Sequence, residues 1–280
     1  MGPVVLALIS ALAYGVSDFF GGLGARRVPV LRILVAAYPI SAVIMTVVAL
    51  IVGGSSSSAG LAWGMFGGIA LAAAAWTFYA ALGSGPISIV SPLTALVSAA
   101  IPLVVGLGLG ERPDLSSLIG VLIALVAVVL VSMSPHADTK ATHPFTVHVA
   151  MLTLAAGALF ALSVIFTAQI PADSGLWPLV AARWAATASI VAVALPLRSL
   201  TPPRGAALGY AGGVGVLDCV AHIAMMIALQ QGLLSIGSVV IALFPAVTVV
   251  LAVVLLRERL TLVQVVGLAL GVAAIVLISL

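Results

Sequence analysis

The chain has 280 residues, 64% of them apolar and 6% charged, with a mean hydropathy of +1.38. A soluble domain carries about 25% charged residues, so the charge needed to cover a water-facing surface is missing, and such hydropathy excludes intrinsic disorder. The net charge of +3, from 10 basic and 7 acidic residues, is scattered over short loops and offers no clustered basic face for nucleic acid. A single cysteine, Cys219, excludes an internal disulfide or a cysteine metal cage and reads as a small buried hydrophobe. Lipid is the solvent for most of this chain.

A spanning helix needs about 20 apolar residues, and Gly, Pro, Ser and charge clusters punctuate such runs. Ten spans follow, over 3–22, 30–53, 60–82, 86–109, 115–133, 146–168, 176–197, 206–230, 234–256 and 261–280. The first has no basic leader and is followed by Arg26 and Arg27, so it reads as a retained helix and not a signal peptide. The longest polar stretch, with His136, Asp138, Lys140 and His143, divides the chain into 1–133, a linker over 134–145, and 146–280.

A shift of 147 residues superposes the two parts. Gly85 falls on Gly232, Ser88 on Ser235, Ser91 on Ser238, Glu111-Arg112 on Glu258-Arg259, and Gly120 on Gly267. A weaker match sets Tyr14-Gly15-Val16-Ser17 on Phe160-Ala161-Leu162-Ser163. Each part holds five spans, and an odd number inverts the second part in the membrane. The expected fold is an all-α membrane protein, ten transmembrane helices in two five-helix inverted-topology repeats around a central cavity. That architecture is typical of secondary transporters.

Two five-helix halves, each with an acidic-basic turn between its fourth and fifth helices, resemble the EamA family of the drug/metabolite transporter superfamily. Ala13 to Phe20 resembles the family's first-helix signature, and Gly85 to Leu93 the start of its fourth helix. The resemblance covers almost the whole chain and implies export of small metabolites, amino acids or drugs. One departure is visible. Pro245 stands 13 residues before Glu258, but the matching first-half position is Ser98, with Pro102 nearby, which suggests a shifted kink.

Most ionisable residues sit at helix ends, but Asp218 and His222 lie near the middle of the eighth span, four residues apart on one helix face. A charge at that depth costs at least ~2.5–3.5 kcal/mol, so the pair faces a cavity or a partner. The functional reading is proton coupling or substrate contact. The structural reading is a hydrogen-bonded tie between helices. Asp18, near the end of the first span, either reaches a cationic substrate or proton, or pairs with Arg26 or Arg27. The resemblance adds that small multidrug relatives carry a working carboxylate in their first helix. Tyr14 is one turn before it. Trp76 and Tyr79 lie in the third span, the repeat partner of the eighth, and line the cavity if the halves enclose one. The alternative is an interfacial belt, which suits Tyr79 better than Trp76.

Arg183, matched locally with Arg32, either binds a substrate carboxylate or snorkels to the interface. Glu111 and Glu258 are expected to cap the following helix. Gly106-Gly110 and Gly267-Gly271 are expected to serve helix packing within the bundle, or a dimer face. There is no phosphate-binding loop, nucleophile elbow or zinc helix motif, so no enzyme activity, cofactor or metal is expected.

Counting Lys and Arg by side puts both termini outside, whereas the resemblance implies both inside. The expected function is a secondary carrier in the cell membrane, a bacterial plasma membrane, exporting a small organic metabolite by alternating access. Protons are the candidate coupling ion, and the protein is a monomer or homodimer that binds no nucleic acid. Two alternatives stay open, a magnesium-like divalent-cation transporter and a non-transporting membrane subunit.

Overall fold

A computed structural model describes residues 2–133, 144–257 and 260–279, without the side chains of residues 87–88. Most of the expected linker, and the Glu258-Arg259 turn, lie outside the described residues. Apolar segments in lipid must satisfy every backbone polar group internally, and helices do so. The helices are α1 (Pro3–Ala25), α2 (Val30–Val52), α3 (Ser58–Ser84), α4 (Ile87–Gly108), α5 (Leu115–Ser132), α6 (Val147–Ala168), α7 (Trp177–Ala194), α8 (Ala206–Gln231), α9 (Leu234–Ile241), α10 (Phe244–Leu256) and α11 (Leu262–Ser279). A 3₁₀ turn, Ala172–Ser174, precedes α7.

Among the described residues ten spans are long and apolar enough to cross a membrane, with α9 and α10 together forming one of them. The ninth span was expected as one run over 234–256, with a kink implied at Pro245. It restarts after Ala242-Leu243 because Pro245 sits in the first turn of α10, where a missing N–H costs nothing but a continuous helix would clash. In the first half no such break occurs, and α4 runs through both Pro92 and Pro102. Large apolar side chains such as Leu12, Val104, Val254 and Val272 point outward, as a lipid-facing surface requires.

Polar caps stand where helices begin outside the apolar zone. Ser57 accepts from Gly60 N at 2.9 Å, Thr146 from Val149 N at 3.3 Å and Asp114 from Ser117 N at 2.8 Å. The Ser117 donors hold the Asp114 carboxyl below its ordinary value.

The two halves interlock. In the first half α3 packs on α6 and α7 of the second, and in the second half α8 packs on α1 and α2 of the first, while α5 lies against α11. Glycines set how close these helices come. A Cβ on Gly64 would stand 2.0 Å from the Pro178 carbonyl oxygen, and one on Gly68 2.0 Å from that of Ala182. With Gly60 facing Ser174, every fourth residue of α3 meets every fourth residue along the α7 side. The repeat-related contact is Gly215 of α8, whose Cβ would lie 2.9 Å from the Ala37 oxygen on α2. Gly267 brings α11 equally near α5, where its Cβ would meet Val131 N at 2.9 Å.

Gly68→Ala is expected to force α3 off α7 and lower stability by about 1–3 kcal/mol. Gly67→Ala, whose Cβ would find only ordinary contacts at 3.6–3.7 Å, is expected to be tolerated. Thermal unfolding of the two variants side by side checks the contrast. Equal losses would contradict it.

Candidate functional site

The register set by these glycines decides what faces the centre. Gly68 and Gly215 are repeat partners, so Ala182 and Ala37 correspond, and Tyr38 of α2 corresponds to Arg183 of α7. The local match of Arg183 with Arg32 is therefore corrected. By the same shift Leu71 and Ala75 of α3 stand where Asp218 and His222 stand on α8. One of two equivalent positions is charged, and the other is apolar.

Arg183 is 1% exposed. It does not snorkel, and that alternative is excluded. It donates through one Nη to Asp218 Oδ2. Ser41 Oγ of α2 donates to the same oxygen at 3.0 Å. The other oxygen, Oδ1, lies 3.3 Å from His222 Nδ1 one turn on, and that nitrogen also stands 3.0 Å from the Asp218 carbonyl. The Tyr14 hydroxyl of α1 lies 2.8 Å from each His222 ring nitrogen. The rings meet edge to face at 5.1 Å. Cys219 is buried and bonds the Ser41 carbonyl through its sulfur at 3.1 Å. Four helices, α1 and α2 of one half and α7 and α8 of the other, thus share one buried polar network.

Ser10 and Ser17 fasten the α1 side of this junction, donating to the Ala221 oxygen at 2.9 Å and the Val214 oxygen at 3.5 Å. A serine hydroxyl is short enough to keep the helices close while it satisfies a carbonyl of the neighbouring helix.

Trp76 and Tyr79 do not touch Asp218 or His222. They line a separate cavity of about 260 Å³ with Val30, Leu31, Leu34 and Ile190. Its lining comes from the start of α2 and the later turns of α3 and α7, so this cavity lies toward the face that carries Arg26 and Arg27. Asp18 is exposed. It has no ion-pair partner among the described residues, so its expected pairing with Arg26 or Arg27 is not seen. Tyr38, which sequence reasoning missed, joins the two regions. It is buried on α2 within electrostatic reach of Asp218, Arg183, Tyr79 and Asp18. Ser41 was also missed. Both sit in an unbroken apolar run whose spacing carries no signal.

Toward the opposite face the helices are packed together. Met45, Ala49, Ile170, Leu176, Leu179, Val180, Cys219 and Met226 form a buried apolar cluster between α2, α7 and α8. The Ser57 and Ser174 hydroxyls bond at 2.8 Å. Glu111 does not cap α5, which has Asp114. Its carboxylate accepts instead from Leu234 N at 2.7 Å and Ser235 N at 2.9 Å, the start of α9 in the other half. The free N–H groups there attract an anion. Gly106 and Gly110, expected as a packing pair, serve this tie. Gly110 takes φ +94° to turn the chain, and a Cβ on Gly106 would stand 2.5 Å from the Glu111 carboxylate. Among the described residues no group of three His, Cys, Asp or Glu could hold a metal ion.

The profile of the EamA-like transporter family matches residues 1–133 and again residues 148–280. No curated protein matches. One solved crystal structure, identified only as that of a protein, is similar over 98% of this chain and 95% of its own, with a TM-score of 0.76 and 17% identity. That likeness concerns the fold alone.

Removing one partner of a buried ion pair costs about 3–5 kcal/mol, whereas replacing both with apolar residues of similar volume is often neutral. Asp218→Leu is expected to lose stability on that scale. Asp218→Leu combined with Arg183→Met is expected to be more stable than the single variant. Unfolding in detergent measures both, and simple addition of the two losses would contradict the pairing.

Proposed function

We propose that this chain, which belongs to the EamA-like transporter family, is a secondary exporter of a small organic metabolite that works by alternating access in the plasma membrane. Coupling is to protons through Asp218 and His222. The observation that carries this reading is a polar network buried at the junction of both halves, beyond the inner end of an aromatic-walled cavity that lies on one face only.

Trp76 and Tyr79 offer flat apolar faces to an organic molecule, and Asp18 offers a carboxylate within electrostatic reach of Tyr79. Tyr38 then leads inward to Arg183 and Asp218. A proton on Asp218 would cancel the charge that holds Arg183. A proton on His222 would place a second cation beside the same carboxylate. Either event changes how tightly α1, α2, α7 and α8 are tied, and those four helices belong to both halves.

The inverted repeat supplies the second state. The gap between the ends of α3 and α7 is open, while the repeat-related gap between α8 and α2 is filled by the cluster around Met45 and Met226. Exchanging which gap is filled would carry substrate from one face to the other. Among the described residues no group of three His, Cys, Asp or Glu stands together, so no carboxylate cluster favours the divalent-cation reading.

Flux of amino acids, nucleosides and cationic drugs in proteoliposomes, with and without a pH gradient, tests this. One class is expected to move, faster with the gradient. His222→Gln is expected to keep some flux but to lose the response to the gradient. An unchanged response in both His222→Gln and Asp218→Asn would remove the coupling role.

A further inference from the structure

Arg183 uses only part of its guanidinium. The Nη that binds Asp218 is engaged, but Nε and the second Nη are buried and have no hydrogen-bond partner. These two atoms form the side edge of the guanidinium, a fork of parallel N–H donors whose spacing matches the two oxygens of a carboxylate. Buried donors without acceptors are costly, and two on one fully buried cation require an explanation.

The residue also lines a void of about 10 Å³ with Gly64, Gly67, Gly68, Ser163, Thr167 and His222. The Thr167 hydroxyl already donates to the Ser163 carbonyl at 2.8 Å, so it does not fill the demand. Gly64, Gly67 and Gly68 of α3 form the side of the void that carries no side chain. We infer that the free edge of Arg183 is a subsite for a small monovalent anion, either the carboxylate of the transported molecule or a halide moved with it. This rests on the transport reading above and deepens it toward an anionic cargo.

The size of the void separates the two sources. It is at the lower limit for a single water, so a halide enters with a smaller displacement than a carboxylate. A carboxylate enters only if a wall retreats. Gly64 and Gly68 are held against the α7 backbone, while Gly67 meets α6 at ordinary distances. The α6 wall, with Ser163 and Thr167, is therefore the one that yields.

The test is the melting temperature of the purified full chain in lipid nanodiscs, titrated with sodium acetate, sodium chloride and neutral acetamide. The comparison is with Arg183→Lys, which keeps a cation for Asp218 but loses the fork, and with Gly67→Ala, which fills the void. At about ten times Kd the native protein is expected to gain roughly 2–4 °C more than either variant, with no such gain from acetamide. General salt effects act on all three proteins alike and drop out.

A gain with acetate identifies the carboxylate as occupant, and a gain with chloride alone identifies a halide. Equal shifts in the native protein and both variants, or an equal response to acetamide, would overturn the subsite. If flux is intact in that case, the transport reading stands without it. A variant-sensitive gain in a protein that moves no substrate would sink the transport reading and leave the subsite.

Discussion

A guanidinium cannot stand alone inside a bundle whose solvent is lipid. Arg183 is buried almost completely, and its charge is tolerable only because Asp218 faces it from the neighbouring helix. The carboxylate in turn needs more than one donor, which Ser41 and His222 provide. His222 then fixes Tyr14. One ion pair thereby ties α7, α8, α2 and α1 at a single point. Those helices come from both halves of the repeat, so any event that alters this charge balance acts on the joint between the halves.

The pair is also asymmetric, and that asymmetry matters. The backbone repeats, because glycine contacts place α3 on α7 as they place α8 on α2. The chemistry does not repeat, because Tyr38, Leu71 and Ala75 occupy the places of Arg183, Asp218 and His222. A symmetric scaffold can exchange two arrangements of similar energy. In the proposed mechanism, a single charged site is what lets a bound molecule or a proton favour one of them. In the arrangement described, the face with Arg26 and Arg27 has the cavity and the other is closed by the Met45–Met226 cluster and by the Glu111 tie to α9.

The family-level fold was legible in the sequence because apolar runs, punctuating glycines and a 147-residue repeat are all local or self-referential signals. Asp218 and His222 were legible for the same reason, since four-residue spacing on one helix is a local fact. Their partners were not. Nothing in the sequence says which of ten helices faces α8, so Ser41 and Tyr38 stayed hidden in an apolar run, and Arg183 was matched with Arg32 through a similarity of neighbours. The glycine contacts that fix the true register exist only between helices. Glu111 misled in the same way. A carboxylate in a tight turn naturally suggests the next helix, but the repeat interlocks and brings the start of α9 nearer. Pro245 was a visible signal for the break in the ninth span.

The claim that the buried joint separates a cavity on one face from a closed apolar cluster on the other is tested most directly by side-specific labelling. Single cysteines at Leu34, Tyr79 and Met226, in a Cys219→Ser background, would be reacted in oriented vesicles with a membrane-impermeant thiol reagent. The expected result is labelling of Leu34→Cys and Tyr79→Cys from the face of Arg26 and Arg27 only, with Met226→Cys protected. Saturating substrate or an imposed pH step should then slow the first two and expose Met226→Cys from the opposite face. Simultaneous labelling of Tyr79→Cys and Met226→Cys from the two faces, unchanged by substrate and by pH, would contradict an alternating joint.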